Sequence, residues 1–257
     1  MDVPALRFSI AAQAAWAPGL STASAWQAWA AQPAPIESAG LDPALARMPA
    51  MLRRRAGFLG KMALQVAYDC LGERSAVPAV FCSRHGEVGR AVDLLGELAR
   101  GEALSPTGFG LAVHNASAGL FSIARSDRAN HLALAGGAAT IEHGVIEACA
   151  LLADGAPQVL LVAYDCPLPP ALAGFQDCRE QAHAWAWLLS APAADPISLR
   201  WRSASQQECD AAAVAAASAD AQPGGLEILR FQLSGARALT RSAARRTWTW
   251  TRDAAHA

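Results

Sequence analysis

Residues 132–164 read LALAGGAATIEHGVIEACALLADGAPQVLLVAY, and this run decides the architecture. Leu132–Ala135 is a short apolar strand that ends at Gly136-Gly137. From Ala139 to Ala153 the residues Ile141, Val145, Cys149 and Leu152 recur at helical spacing, so a helix with one apolar face follows. After Asp154-Gly155, Gln158–Tyr164 is an unbroken apolar run between turn residues, the pattern of a strand buried on both faces. Strand, helix and strand in this order are the unit of a layered α/β protein.

The flanking sequence extends the alternation in both directions. Upstream, Ala79–Cys82 is a short buried strand, and Glu87–Arg100 a helix carrying Val88, Val92, Leu95 and Ala99 and stopped by Gly101. Ser105-Pro106 opens a further helix over Phe109–Ala124. Leu52–Leu71 is helical by its apolar spacing, residues 22–48 (with Trp26, Trp29, Pro33 and Pro35) are partly irregular, and a first strand starts at Phe8 and closes at Pro18-Gly19. Downstream, Ala182–Leu189 and Ile197–Arg202 read as adjacent strands. Residues 210–223 read as an alanine-rich helix and a surface loop, Leu226–Leu233 as helix or strand, and Thr247–Thr251 as a final strand. No sequence repeat of about 20–50 residues and no linker interrupts the chain, so residues 1–257 are expected to form one domain.

Composition narrows the function classes. Of 257 residues 53% are hydrophobic and 17% charged, which supports a sizeable core and excludes wholesale disorder. Lys plus Arg number 21 and Asp plus Glu 22, a net charge of −1, which argues against nucleic acid and against membrane-surface binding. No stretch reaches the roughly 18 apolar residues of a membrane helix. Six cysteines without a CxxC pair read as reduced cytoplasmic thiols, neither a disulfide framework nor a metal site. Asp2 stands where a signal peptide would carry positive charge. Gly101-Glu102 and Gly136-Gly137 form no phosphate-binding loop, and no cofactor is expected.

Four motifs lie in the block 81–169: SRHGE (Ser83–Glu87), SPTxF (Ser105, Pro106, Phe109), VHNAxAG (His114, Asn115, Gly119) and YDxxLP (Tyr164–Pro169). In this combination the sequence resembles the β-ketoacyl synthases of the thiolase superfamily, and in particular the chain-length factors of aryl polyene and xanthomonadin-type pigment clusters. The resemblance is strong over 81–169, weak over the rest of 1–190, and slight after about residue 200. It implies a thiolase-like layered fold, truncated to roughly the N-terminal half of a ketosynthase plus extra C-terminal strands.

The resemblance also implies a site. In the family a buried helix after a strand and sharp turn carries the nucleophilic cysteine at its N-terminus, where free N–H groups and the helix dipole favour a thiolate and an oxyanion. Counting from Asn115 forward and from Asp154-Gly155 backward both reach Ala138, which has no thiol. The family's two C-terminal histidine motifs are also missing; beyond residue 143 only His183 and His256 remain. Claisen chemistry by this chain alone is therefore not expected. The implied role is a non-catalytic partner of a complete β-ketoacyl-ACP synthase, elongating chains on acyl carrier protein. The implied contact is the strand Asn130-His131-Leu132-Ala133-Leu134-Ala135-Gly136, paired with the partner's equivalent strand.

Several residues admit two readings. His85, Val88 and Val92 are spaced to share one helix face and gate an acyl tunnel; alternatively Arg84-His85 solvates the helix start and Ser83 caps it. Cys82 and Cys166 are core or rim residues, or nucleophiles of a stand-alone acyl-thioester enzyme; Cys149 is core. Glu142 and His143 adjoin the vacant position but point to different helix faces. Arg53-Arg54-Arg55 is a solvated charge run or a docking site for acidic carrier protein. A self-associated module that binds carrier protein is the remaining alternative.

Overall fold

Strand β4 (Gln158–Asp165) is buried from Val159 to Tyr164, and the rest of the molecule is arranged around it. The structure is a computed structural model that describes residues 5–37, 42–216, 218 and 221–252. Before β4 come β1 (Leu6–Trp16), α1 (Ala23–Ala31), α2 (Ala50–Arg53), α3 (Phe58–Leu71), β2 (Ala79–Cys82) and α4 (Val88–Ala99). They are followed by α5 (Pro106–Gly110), α6 (Ala116–Arg125), β3 (His131–Leu134) and α7 (Thr140–Ala153). After β4 come β5 (His183–Ser190), β6 (Ile197–Ser203), α8 (Gln206–Ala216), α9 (Gly224–Ser234), β7 (Ala238–Ala243) and β8 (Arg246–Arg252).

The strands lie in the order β3-β2-β4-β5-β1-β6-β8-β7. Strand β2 is parallel to β3 and β4, and β5 runs antiparallel between β4 and β1. The turning point is β1. Ser9–Trp16 pairs with β5, Leu6–Phe8 pairs with β6, and the register shifts between Ile10 and Ala12. Such an irregularity bends and twists a strand.

The bend sets two apolar faces against one another. One core cluster joins Val159 and Leu161 of β4, Trp185 and Trp187 of β5, and Trp248 and Trp250 of β8 with residues of α7 and α9. Helices α7 and α9 therefore fill the layer between the two halves of the sheet. The other face of the first half is covered by α3 and α6, through residues such as Met62, Val66 and Phe121 against Phe81 and Val162. This is the α/β thiolase-like architecture.

The halves share a plan that no sequence repeat reveals. In the first, α7 leads into β4, which pairs through β5 with β1; in the second, α9 leads into β7, which pairs through β8 with β6. The first half continues past β4 to β2 and β3, whereas among the described residues the second ends at β7.

Several expectations are corrected. Strands β5 and β6 are not neighbours, because residues 191–196 carry the chain across β1; Ser9 Oγ holds that crossing by accepting from Ala193 N (2.8 Å) and donating to Ala194 O (3.3 Å). The helix expected over Phe109–Ala124 is two helices, α5 and α6, broken over 111–115. Leu52–Leu71 is likewise split, since Gly57 is extended (ψ 177°). Trp26 and Trp29 sit on a true helix, α1, capped by Thr22, which accepts from Ala25 N at 3.2 Å. Leu226–Leu233 lies within a helix. His256 lies outside the described residues.

Gly144 allows α7 to lie flat on the sheet, because a Cβ there would come within 2.4 Å of Cys82 Sγ and 3.1 Å of Leu161 Cδ1. Gly144→Ala should therefore overpack the layer and lower the unfolding free energy by about 1–3 kcal/mol despite alanine's better helix propensity. A urea midpoint equal to or above that of the wild type would contradict this packing.

Candidate functional site

The position expected to be vacant, Ala138, is built by the chain entering α7. Gly137 adopts φ +56°, Gly136 N donates to Thr140 Oγ1 (3.0 Å), and Thr140 Oγ1 donates to Gly137 O (2.7 Å). Ala138 and Ala139 form the single tight turn that feeds the helix. The site is not empty of chemistry. Arg241, from β7, donates to Ala138 O (3.4 Å), pairs with the fully buried Glu142 of α7, and contacts Glu227 of α9 at 2.6 Å.

Burial disfavours the Arg241 charge, but Glu142 and Glu227 outweigh it and hold its pKa above the ordinary arginine value. A Cβ on Gly224 would lie 2.0 Å from Arg241 Nη2, so a larger residue there would have to displace the guanidinium. The next residue of α7 points elsewhere, as expected: His143 packs its ring against Trp248 at 5.5 Å. A cavity of about 890 Å³ opens from Ala138 and Arg241 toward Arg84, Asp177 and Cys178.

A second polar cluster sits at the ends of β2 and β4. Ser83 Oγ donates to Asp165 Oδ1 (2.9 Å) and accepts from Gly86 N (2.8 Å), while Arg84 N donates to Asp165 at 2.8 Å. Ser83 thus closes a turn, and the N-cap of α4 is Glu87. Gly86 takes φ +57° under His114, whose Nδ1 would lie 2.4 Å from a Cβ. Arg84 pairs with Asp177 and donates to Cys178 Sγ at 3.1 Å. Burial pushes the Asp165 carboxyl up to about 7 against these hydrogen bonds.

The gate residues do not share one helix face. Gly86 and Glu87 are non-helical, so His85 precedes α4 and turns inward, its Nε2 3.7 Å from Glu180 Oε1. Burial and then Arg84 lower its pKa. Val88 and Val92 remain i,i+4 neighbours on α4, half-buried. His183 is fully buried with Nδ1 on Gln181 O (2.8 Å), and burial lowers it to about 4. Desolvation raises every thiol near the site: Cys82 strongly, Cys166 to about 12 and Cys178 to about 11, the last despite Arg84. Cys149 is core, as expected.

The expected contact strand Asn130–Gly136 contains β3, which is the edge of the first half. Helix α6, which packs beside β3, carries the exposed Ile123 (63%), and the mutually packed α4 and α5 carry exposed Leu95 (64%) and Phe109 (64%). Ser105 caps α5 by accepting from Gly108 N (3.1 Å), with Pro106 in its first turn; Asn115 begins α6, and Gly119 lies within it. Arg53 is turned toward Leu45 O (3.3 Å), while Arg54 and Arg55 are exposed. Among the described residues no group of three or more His, Cys, Asp or Glu could hold a metal, and no helix is long and apolar enough to cross a membrane.

Sequence reasoning missed Arg241, Glu227 and Glu180. The readable signal for Arg241 is parity: in β7 the residues Leu239, Arg241 and Ala243 alternate together, which puts a charge among apolar positions.

If the Arg241 network is structural, Arg241→Met should destabilise the fold by about 3–5 kcal/mol by stranding a buried carboxylate, and Glu142→Gln added to it should restore part of the loss. Unfolding of the single and double variants in urea measures this. Asp165 titrates near 7 when folded and ordinarily at 3.8, so its contribution is complete below about pH 4 and is lost as pH rises through 7. Asp165→Asn should thus gain on the wild type, by on the order of a few kcal/mol, between pH 4 and 8; a pH-independent difference would contradict this.

The family described as "Beta-ketoacyl synthase, N-terminal domain" matches residues 26–251, so the likeness continues well past residue 200. Among solved structures, the chain is similar to one described as a ketosynthase (ApeO) in complex with its chain length factor (ApeC) from Xenorhabdus doucetiae. It has 28% identity and a TM-score of 0.82, and the match covers 96% of this chain and 100% of that one. A β-ketoacyl synthase from Burkholderia phymatum is similar at 13% identity and TM-score 0.62, over 89% of this chain and 77% of that one. The ishigamide ketosynthase/chain length factor is similar at 12% and 0.69, over 96% and 99%. These last two show the fold alone. No curated protein matches the sequence.

Proposed function

The chain belongs to the β-ketoacyl synthase family, and from that premise we propose that it is a non-catalytic subunit of the chain-length-factor type. It pairs with a complete β-ketoacyl-ACP synthase in the cytoplasm, and the pair elongates polyene or fatty acyl chains carried on acyl carrier protein. The partner supplies the nucleophile and histidines; this chain supplies one wall of the acyl tunnel.

The observation that carries this reading is the content of the nucleophile position. Ala138 offers no thiol, and the Arg241 guanidinium occupies the surrounding space between two carboxylates. The raised thiols of Cys82 and Cys166 weigh against a substitute nucleophile, since the thiolate is the reactive form. The pairing is supported by the edge of β3, which has no outer neighbour among the described residues, by exposed Ile123 on the adjoining α6, and by the exposed apolar residues of α4 and α5. The 28%-identical solved structure is described as a ketosynthase in complex with its chain length factor.

Co-expression with a complete ketosynthase should give a 1:1 assembly burying at least roughly 2,000 Å². Leu95→Asp combined with Ile123→Asp should abolish co-elution while leaving the chain folded by circular dichroism. With the tunnel assigned to Val88 and Val92, Val92→Phe should shorten the products of the reconstituted pair without dissociating it. Co-elution unaffected by the aspartates, or an unchanged product distribution from Val92→Phe, refutes the interface or the gate respectively.

A further inference from the structure

The second half of the sheet stops two strand positions earlier than the first, since β2 and β3 have no counterpart beyond β7 among the described residues. In the first half β4 is bordered by β2 on the side away from β5. The corresponding side of β7 has no strand among the described residues. The hairpin register tells which backbone groups this leaves over. Ala243 and Arg246 flank a two-residue turn, with Ala244 at φ +52° and Arg245 at φ +59°, and so form a hydrogen-bonded pair. Alternation then gives Arg241 with Trp248 and Leu239 with Trp250 the ladder bonds, and Arg252 N donates to Arg237 O at 3.0 Å in the same phase. The N–H and C=O groups of Ala238, Thr240 and Ser242 therefore point away from β8.

All three residues line the 890 Å³ cavity, which the alanine face of α8 (Ala211, Ala212, Ala215) also lines where α8 packs against β7. A strand residue fills about 160 Å³ when it advances about 3.3 Å, with strands about 4.8 Å and sheets about 10 Å apart. The cavity, part of which extends to Ala138, Arg84, Asp177 and Cys178, thus holds at most about five or six residues, and β7 is 6 residues long. Arg230 also lines it; its Nε donates to Ala30 O at 3.2 Å, and it has no carboxylate partner among the described residues.

We propose that the free edge of β7 accepts an added strand: an extended segment of about six residues from a partner protein, with small side chains against α8 and a carboxylate toward Arg230. Three backbone pairs at two-residue spacing require a ladder, which a compact small molecule does not supply. A second copy of this chain would bring its own α8 into the slot, so a lone extended segment is the occupant that fits. The inference goes beyond the synthase pairing and does not depend on it.

The test is fluorescence polarisation with a fluorescein-labelled peptide Glu-Thr-Ala-Val-Ala-Thr titrated with the full chain. Saturable binding is expected, weakened at least about tenfold when alternate peptide amides are N-methylated in the register that faces β7. Thr240→Pro removes one outward amide while sparing the β8 ladder, and Ala212→Trp fills the slot from α8; each should weaken binding comparably. Should Thr240→Pro fail to fold by circular dichroism, Ala212→Trp decides. Absence of saturable binding, or equal binding by the N-methylated peptide or by both folded variants, overturns the proposal. Self-association that Ala212→Trp abolishes, without peptide binding, also overturns it in favour of a second copy.

Discussion

Strand β1 carries ladders on both of its sides, but along different stretches: Ser9–Trp16 belongs to β5 and Leu6–Phe8 to β6. The handover is what turns one sheet into two facing walls. Trp187 of the first half meets Trp250 of the second with ring centroids 6.5 Å apart, and α7 and α9 occupy what remains between the walls. Fully burying aromatic and aliphatic side chains of this kind stabilises a fold by roughly 1.5–3 kcal/mol each, so the layer between the halves is where cohesion is concentrated. The entry to α7, the place of Ala138 and the reach of Arg241 all follow from it.

The electrostatics of that layer are unusual for a protein interior. Glu142 lies in the first turn of α7, where the helix dipole favours negative charge, and Arg241 completes its neutralisation. Buried ion pairs add little net stability compared with apolar packing, but they penalise any arrangement that separates the partners. Because Glu142 comes from the first half and Arg241 and Glu227 from the second, the network fixes how the halves register on each other. The Asp165 cluster differs in kind: it ties the ends of β2 and β4 within one half, and its carboxyl is held near neutrality by burial.

Where residues announce their environment by pattern, the sequence was readable. Gln158–Tyr164 could only be a doubly buried strand, and the apolar spacing of α3 and α7 fixed both helices. Strand β7 was overlooked because Leu-Thr-Arg-Ser is polar on one face and carries an arginine on the other, which hides the alternation. The position of β1 between β5 and β6 depends on a bulge and a crossing loop that leave no compositional trace. The turn at Gly136-Gly137 was legible in the sequence, whereas the contact of Arg241 with Ala138 O was not: it joins residues 103 positions apart and exists only once the halves are folded together. His85 looked helical because one glycine conformation, at Gly86, decides where α4 begins.

The dual role of β1 also sets an order of events during synthesis. Its ladder partners are Ala184–Ser190 and Ile197–Leu199, so its ladder hydrogen bonds must wait until those residues have left the ribosome. Contacts of such sequence separation are slow to form, because the intervening loop must be closed before they stabilise anything. Until then the 11-residue strand lacks its ladder partners, and an unpaired strand is a template for pairing with other chains. Recombinant production should accordingly be limited by what happens to this strand before β5 emerges, more than by the stability of the finished fold.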